Sequence, residues 1–293
     1  MSVAGARLVD LFGMIEHVRA DLQALPRPLA FVFPGGGALG AYQVGVLAAL
    51  TDAGVRADML IGVSAGAVNA SLFAWNQGAD GLRRMEQIWR SLRRRDLLRL
   101  HPGRMVMALS GRRPSMIDNR YGKRWLERYL GVRRIEDSPI GLAIVATDLE
   151  SGRAKAFTSG EVVSAALASS AFPGAYPPVE RDGRWYIDGG VVADIPLDIA
   201  VDLGAKGALI IQVPSHPEGP SPRGAIEILL RASTFGVEAH GRTVLARPPE
   251  GLTVIEIPAA ASTVTTFAIG NAGAIIDEAR SQTSAWLRST PAP

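Results

Sequence analysis

The sequence predicts an α/β fold with a largely parallel central sheet. Short apolar runs alternate along the chain with segments in which apolar residues recur at helical spacing, which is typical of successive strand and helix units. The 293 residues, of which 47% are hydrophobic, suffice to bury one large core. The predicted strands are Leu29 to Phe33, Ala57 to Ile61, Leu142 to Ala146, Trp185 to Ile187, Ala208 to Val213 and Leu252 to Ile257.

Residues 1–28 are predicted to form a separate N-terminal helix. Apolar residues from Ala6 to Leu25 have helical spacing, and the acidic residues Asp10, Glu16 and Asp21 interrupt them. A secretory signal peptide is therefore not expected. No run of 18 strongly apolar residues predicts a transmembrane helix. We expect a cytoplasmic protein or one that is peripheral to a membrane.

A glycine-rich loop follows the first predicted strand. Residues 35–40 read Gly-Gly-Gly-Ala-Leu-Gly, and apolar residues at helical spacing continue to Leu50. Glycines permit unusual backbone conformations and leave amide N–H groups uncovered at the start of a helix. Such a concavity can stabilise an oxyanion.

Gly62-Val63-Ser64-Ala65-Gly66 follows the second predicted strand and precedes another helical pattern. Small residues on both sides allow a sharp turn from strand to helix, which exposes the serine hydroxyl at a helix N-terminus. The pattern is typical of a nucleophilic serine, although a tight structural turn also produces it.

Asp188-Gly189-Gly190 closes the fourth predicted strand. Aspartate at a strand end commonly forms a turn or caps a helix. It is also the residue type that can accept a proton from an attacking hydroxyl.

Together these three motifs resemble the patatin-like phospholipase family in order and approximate spacing. Residues 146–152 and 168–178 fit the same pattern, so that the resemblance covers about residues 29–195. It implies a three-layer α/β/α sandwich, distinct from the usual α/β-hydrolase fold. It also implies a serine carboxylic-ester hydrolase that cleaves lipid acyl esters through an acyl-enzyme, without histidine.

The resemblance carries site roles onto this chain. Ser64 is the implied nucleophile and Asp188 the implied base. The implied oxyanion donors are the amides of Gly35, Gly36, Gly37 and Ala38, and Gly40, Gly62, Gly66, Gly189 and Gly190 support the motifs. Many family members have arginine or lysine where this chain has Leu39, so the backbone amides must act here without that charge.

To act as a general base, Asp188 needs an environment that raises its pKa. An exposed aspartate has a pKa of about 3.9, so a useful base needs a site that is partly desolvated. Aromatic residues and prolines from Phe172 to Pro178 either wall an apolar cleft or form a packed connecting loop.

Three alternatives remain open. Gly35, Gly37 and Gly40 match a dinucleotide-binding fingerprint, although the acidic residue expected after the second strand is missing. Ser64, Asp188 and His216 follow the chain order of a Ser-His-Asp esterase. A catalytically silent lipid-binding protein with the same fold is the third alternative.

The segment 81–134 carries 16 Lys or Arg and four acidic residues, a net charge of +12, whereas the whole chain carries +3. We expect it to form a helical cap or insertion within a catalytic domain of residues 29–293. Its alternating arginines and aliphatic residues fit an anionic membrane surface, or a solvated face with many ion pairs. Nucleic acid is not expected as a partner, because few of these apolar residues are aromatic.

No cofactor or metal is expected. The chain has no cysteine, which excludes disulfide and thiol chemistry. Its four histidines are scattered without the spacing of metal ligands.

Overall fold

A computed structural model of the protein describes residue 22 and residues 25–97, 102–214, 224–259 and 269–289. The predicted N-terminal helix and His216 lie outside these residues, apart from Leu22 and Leu25. Within them are eight strands and eleven α-helices. The strands are β1 Leu29–Phe33, β2 Met59–Val63, β3 Gly141–Asp148, β4 Ala154–Phe157, β5 Val179–Arg181, β6 Arg184–Asp188, β7 Gly207–Ile210 and β8 Thr253–Glu256.

The helices alternate with these strands along the chain. They are α1 Gly40–Asp52, α2 Ala65–Ala74, α3 Ala79–Ser91, α4 Arg94–Leu97, α5 Pro102–Leu109, α6 Arg120–Leu130, α7 Val162–Ser169, α8 Gly190–Ala193, α9 Leu197–Asp202, α10 Ala225–Ala246 and α11 Ala272–Ser289. Short 3₁₀ turns cover Gly37–Leu39 and Ile135–Asp137.

One mixed sheet contains all eight described strands. Its hydrogen-bonded neighbours run β5-β6-β3-β2-β1-β7-β8, and β4 pairs with β3. The pairs from β3 through β8 along this order are parallel, whereas β4, β5 and β6 pair in antiparallel fashion. The prediction of a mostly parallel sheet is confirmed.

Successive residues of the central strands pack on opposite faces of the sheet. Phe31 and Phe33 belong to a core with α1, α2, α3, α7 and α11, whereas Ala30 and Val32 belong to a second core with α9 and the end of α10. Alternation of side chains along a strand separates the two cores. The three-layer α/β/α arrangement expected from the resemblance is confirmed.

Most predicted strands agree with the structure within a few residues. β1 has the predicted bounds, and β2 begins two residues later than predicted. Just before β2, the Asp58 carboxylate accepts the Leu29 N–H at 2.6 Å. A side-chain oxygen therefore binds the first residue of β1 in place of a strand carbonyl. The predictions missed the short antiparallel strands β4 and β5.

The basic segment contributes α3, α4, α5 and α6. Leu82, Met85, Ile88 and Trp89 bury one side of α3 in the larger core, and α6 buries Leu126 and Leu130. Its arginines lie mainly on the outer sides of these helices. None of the helices in the described ranges is both long and apolar enough to cross a membrane.

Candidate active site

Strand β3 brings two distant parts of the chain together. β2 ends where Val63 pairs with Val145 of β3, and Asp188 of β6 pairs with the next residue, Ala146. β4 occupies the opposite edge of β3 at both positions, so β2 and β6 lie along the same edge. Because Ser64 directly follows Val63, the register places Ser64 beside Asp188.

Ser64 adopts an unusual backbone conformation at the start of α2. Its φ of 53° and ψ of −122° are rarely accessible to a residue with a side chain. The turn is also crowded, because a Cβ on Gly66 would lie 2.1 Å from the Phe33 carbonyl oxygen and one on Gly62 would lie 2.5 Å from the Ala67 Cα. Both flanking glycines are therefore required by packing.

The Ser64 hydroxyl donates a hydrogen bond directly to the Asp188 carboxylate. Ser64 Oγ lies 2.7 Å from Asp188 Oδ2, while Asp188 Oδ1 accepts the Gly190 N–H at 2.9 Å. Thr147 Oγ1 donates to the backbone carbonyl of Asp188 at 2.8 Å, which fixes the end of β6. The structure therefore brings together the two side chains that the sequence singled out.

Burial makes the Asp188 carboxyl more basic than an ordinary aspartate. The side chain is almost wholly buried, and desolvation raises its pKa to about 7. The bonds from Ser64 and Gly190 act in the opposite direction, whereas the nearby negative charge of Asp194 raises the pKa further. The environment of Asp188 is therefore desolvated, as a useful base at this position requires.

Ser169 supports the turn at Ser64, a role that motif analysis missed. Its buried Oγ accepts the Ser64 N–H at 2.8 Å and donates to the Val145 carbonyl at 2.6 Å. The Ala171 carbonyl accepts the Asp188 N–H at 3.0 Å. The stretch 168–178 therefore holds both Ser64 and Asp188 through its first residues.

The stretch 146–152 anchors the strand that carries Asp188. Asp148 Oδ1 accepts the backbone N–H groups of Glu150 and Ser151, each at 3.0 Å, and Oδ2 pairs with Arg184 at the start of β6. These bonds and the pairing with Arg184 hold the pKa of Asp148 below its ordinary value. The motif therefore has a structural role at this turn.

The glycine loop presents backbone donors next to Ser64. Gly36 and Gly37 have φ values of 153° and 55°, so both need the freedom of glycine. Leu39 N–H donates to the Gly36 carbonyl at 3.0 Å and begins the 3₁₀ turn. The N–H groups of Gly37 and Ala38 stand in its first turn, where no intrahelical acceptor is available.

The backbone N–H of Gly35 is not free to bind an oxyanion, although it was expected to be one of the donors. Its N–H donates to Asp194 Oδ1 at 2.8 Å, so that expectation is wrong. Burial raises the pKa of the Asp194 carboxyl to about 6. Sequence analysis did not single out Asp194, and its one signal was a carboxylate among the apolar residues from Val191 to Ile195.

The remaining motif glycines allow close packing around the site. A Cβ on Gly40 would lie 3.0 Å from the Ala65 Cβ, and one on Gly189 would lie 2.3 Å from the Val145 carbonyl oxygen. Leu39 is fully buried in the protein interior. The position where many family members carry a cation therefore faces the core in this chain.

A buried polar network supports the glycine loop from below. Asn69 of α2 donates to the Gly40 carbonyl and to Gln43 Oε1, each at 2.8 Å, and accepts the Trp89 indole N–H at 2.8 Å. Gln43 in turn donates to the Pro34 carbonyl at 2.9 Å. These bonds connect α1, α2 and α3 to both ends of the loop.

Ser64 and Asp188 open into a cleft of about 1640 Å³. The glycine loop forms one part of its wall, together with Asp194. Four of the residues between Phe172 and Pro178 also line it, which favours the cleft over the packed-loop interpretation. Apolar side chains contribute much of the remaining wall: Val68, Trp89, Leu92, Leu97, Trp125, Leu126, Leu167, Phe172, Pro173, Tyr176, Pro177, Val191, Ile195, Val213, Val237, Leu245, Val254, Ile255, Ile269 and Trp286.

Within the described ranges, the residues that line the cleft include no histidine. No cluster of three or more His, Cys, Asp or Glu side chains there could hold a metal ion. His240, the histidine that the structure describes, lies exposed on α10.

Comparisons with known proteins match this chain to one family. A family model described as Patatin-like phospholipase matches residues 31–201. Patatin-like phospholipase domain-containing protein 6 of Mus musculus is 30% identical over 224 residues, which cover 73% of this chain and 16% of that protein. Patatin-like phospholipase domain-containing protein 7 of Rattus norvegicus is 29% identical over 192 residues, covering 65% of this chain and 14% of that protein. This chain therefore spans only a small part of the length of these relatives.

The crystal structure of VipD from Legionella pneumophila is similar in fold. Its TM-score is 0.53 at 15% sequence identity, and the match covers 90% of this chain and 67% of that one.

Proposed function

This chain belongs to the patatin-like phospholipase family, and we propose that it is a lipid acyl hydrolase in which Ser64 is the nucleophile and Asp188 the general base. The observation that carries the proposal is the 2.7 Å hydrogen bond from Ser64 Oγ to Asp188 Oδ2. Both groups face a cleft whose wall is largely apolar, as the acyl chain of a lipid requires.

The first half-reaction forms an acyl-enzyme. As Ser64 Oγ attacks the ester carbonyl carbon, its proton passes to Asp188 Oδ2. The carbonyl oxygen becomes an oxyanion and accepts hydrogen bonds from the amides of Gly36, Gly37 and Ala38. When the tetrahedral intermediate collapses, the ester C–O bond breaks and Asp188 returns the proton to the departing alkoxide.

The second half-reaction regenerates the enzyme. Asp188 takes a proton from a water molecule that attacks the acyl carbon, and the same donors hold the second oxyanion. Collapse releases the fatty acid, and the proton returns to Ser64. A base with a pKa of about 7 suits both steps near neutral pH.

Replacement of each proposed reacting group tests the hydrolase. Ser64→Ala and Asp188→Asn should each lower hydrolysis of a short aryl ester and of phospholipid vesicles by at least about a thousandfold. Ser110→Ala, which changes an exposed serine in the turn directly after α5, should keep the parent activity. If both site variants hydrolyse esters at the parent rate, the proposed dyad is wrong.

The Ser-His-Asp alternative predicts a different result. A histidine in a triad lies between the serine and the carboxylate, whereas Ser64 and Asp188 are in direct contact. His216→Ala should therefore retain activity. A loss as large as that of Ser64→Ala would favour the triad.

A catalytically silent lipid-binding protein would bind vesicles without turnover. Assays of the parent protein with acyl esters of several chain lengths separate the two functions. Binding without hydrolysis of any of them would favour the silent protein.

We also propose that residues 81–134 cap the cleft and contact anionic lipid. Leu92, Leu97 and Leu126 from this segment line the cleft. In the described ranges, no carboxylate pairs with its exposed arginines 94, 95, 112, 113, 124 and 128. Such free cations favour an anionic surface over a fully paired solvated face.

Vesicle binding tests the membrane contact. Binding should be stronger to anionic than to neutral vesicles and should weaken as salt increases. The double variant Arg112→Gln and Arg113→Gln should bind anionic vesicles more weakly and hydrolyse a soluble aryl ester normally. Equal binding to both vesicle types at low salt would contradict the proposal.

A further inference from the structure

Asp194 is a second carboxylate at the site, next to the glycine loop. It follows α8 and lines the same cleft as Ser64 and Asp188. Its Oδ1 accepts the Gly35 N–H at 2.8 Å, which ties the first residue of the loop to the end of α8.

Two glycine positions show how close this carboxylate lies to the reacting groups. A Cβ on Gly35 would lie 2.9 Å from Asp194 Oδ1 and 3.3 Å from the Ser64 Cβ. A Cβ on Gly190 would lie 3.3 Å from Oδ1 of both Asp188 and Asp194. The Asp194 carboxylate therefore lies close both to the loop and to the proposed base.

We propose that Asp194 is a positioning residue, whose carboxylate holds Gly35 beside Ser64 and places a second negative charge next to Asp188. The proposal rests on the Ser64–Asp188 dyad and adds a group that acts through it. Holding Gly35 fixes the direction of the following amides, which are the donors left for the oxyanion. A fixed donor loses no free energy to reorientation during the reaction.

The negative charge has a separate effect. Asp188 on β6 and Glu238 on α10 are the acidic groups that face Asp194 from neighbouring elements in the described ranges, and Arg242 lies 3.9 Å from Glu238. A like charge close to Asp188 favours its protonated form, so ionised Asp194 raises the pKa of Asp188. Burial is the main cause of the raised pKa of Asp188, and the charge of Asp194 moves the pH at which the dyad becomes active further upward.

The test measures the reactivity of Ser64 without a lipid substrate. An alkyl fluorophosphonate reacts when Ser64 Oγ forms a bond to phosphorus, the P–F bond breaks, fluoride leaves and Asp188 takes the serine proton. Intact mass measures the labelling rate from pH 5 to pH 9. In the parent protein this rate should rise with pH through a midpoint near 7.

Two substitutions separate the two roles. Asp194→Asn keeps an oxygen that can accept the Gly35 N–H but removes the charge, so the midpoint should move down by about one pH unit. Asp194→Ala removes both, and its plateau rate should also fall by about tenfold. Asp198→Asn changes an exposed carboxylate on the neighbouring helix and should match the parent profile.

Each result has a defined meaning. A midpoint in Asp194→Asn equal to that of the parent overturns the proposal, and so does an unchanged plateau in folded Asp194→Ala. If Asp194→Ala does not fold, the midpoint of Asp194→Asn decides. Absence of labelling in the parent overturns the dyad and this inference together, whereas normal labelling with unchanged variants overturns only the inference.

Discussion

The Asp188 carboxylate accepts a hydrogen bond directly from the Ser64 hydroxyl, with Ser64 Oγ 2.7 Å from Asp188 Oδ2. The same carboxylate is buried in the sheet and accepts one further N–H bond, from Gly190. The Asp188 side chain therefore both contacts the Ser64 hydroxyl and has the raised proton affinity of a buried carboxylate.

Ester hydrolysis should lose activity as pH falls through about 7. Attack by Ser64 requires ionised Asp188, and burial raises the pKa of this carboxyl to about 7. A profile of kcat/KM for a soluble aryl ester should fall about tenfold for each pH unit well below the midpoint. A midpoint below pH 5 would show that Asp188 is not desolvated as the structure has it.

Asp188→Asn should stabilise the folded protein above pH 7. The raised pKa means that the folded protein retains a proton between about pH 4 and pH 7 that the unfolded chain has released. Parent stability therefore falls as pH rises through this window, whereas the neutral amide does not contribute to this loss. At pH 8 the variant should melt about 2–4 °C higher for each kcal/mol gained.

Thermal melts at two pH values check this prediction. The difference in Tm between Asp188→Asn and the parent should be largest at pH 8 and should shrink toward pH 4. A difference that is the same at both pH values would point to packing and not to ionisation.

Ser169→Ala should reduce the turnover number of the enzyme. The variant removes the acceptor for the Ser64 N–H, and this bond holds Ser64 in its unusual backbone conformation. We expect kcat to fall by at least about tenfold, because small displacements of a nucleophile reduce its rate strongly. Ser164→Ala on the same helix is the matched control. Equal kcat in the two variants would argue against a role for the bond.

Gly36→Ala should disable the proposed oxyanion donors. The φ of 153° at this position disfavours a side chain, and a Cβ would lie 2.9 Å from Val213 Cγ2. A rotated loop should cost about a hundredfold in kcat, similar to the removal of one oxyanion donor. Gly54→Ala is the control, because φ there is 74° and the space around it is open. If both variants lose the same activity, general backbone strain explains the effect.

The parts of the fold that sequence predicted best have strong local signals. β1 is a run of five apolar residues buried on both faces, and its predicted bounds are correct. β4 contains exposed residues such as Ala154 and Lys155, and β5 has only three residues. Neither strand has enough apolar periodicity to be recognised from its own residues. Each is a strand because it pairs with a neighbour, β4 with β3 and β5 with β6.

The site was predictable where a residue type and its neighbours form a motif. Ser64 and Asp188 both stand at strand ends beside glycines, and the structure brings them into contact. Asp194 and Ser169 act through single contacts with Gly35 and Ser64 that only the three-dimensional arrangement creates. The occupied N–H of Gly35 could not be foreseen for the same reason.

The distance between hydroxyl and carboxylate depends on a strand that supplies neither of them. β3 receives Val63 and Asp188 at consecutive positions, so a single peptide unit acts as the spacer between the two halves of the site. Insertion of one residue there would displace them by about 3.3 Å and turn one toward the other face of the sheet. Sequence length can vary widely between Ser64 and Asp188, provided that this one step of β3 is unaltered.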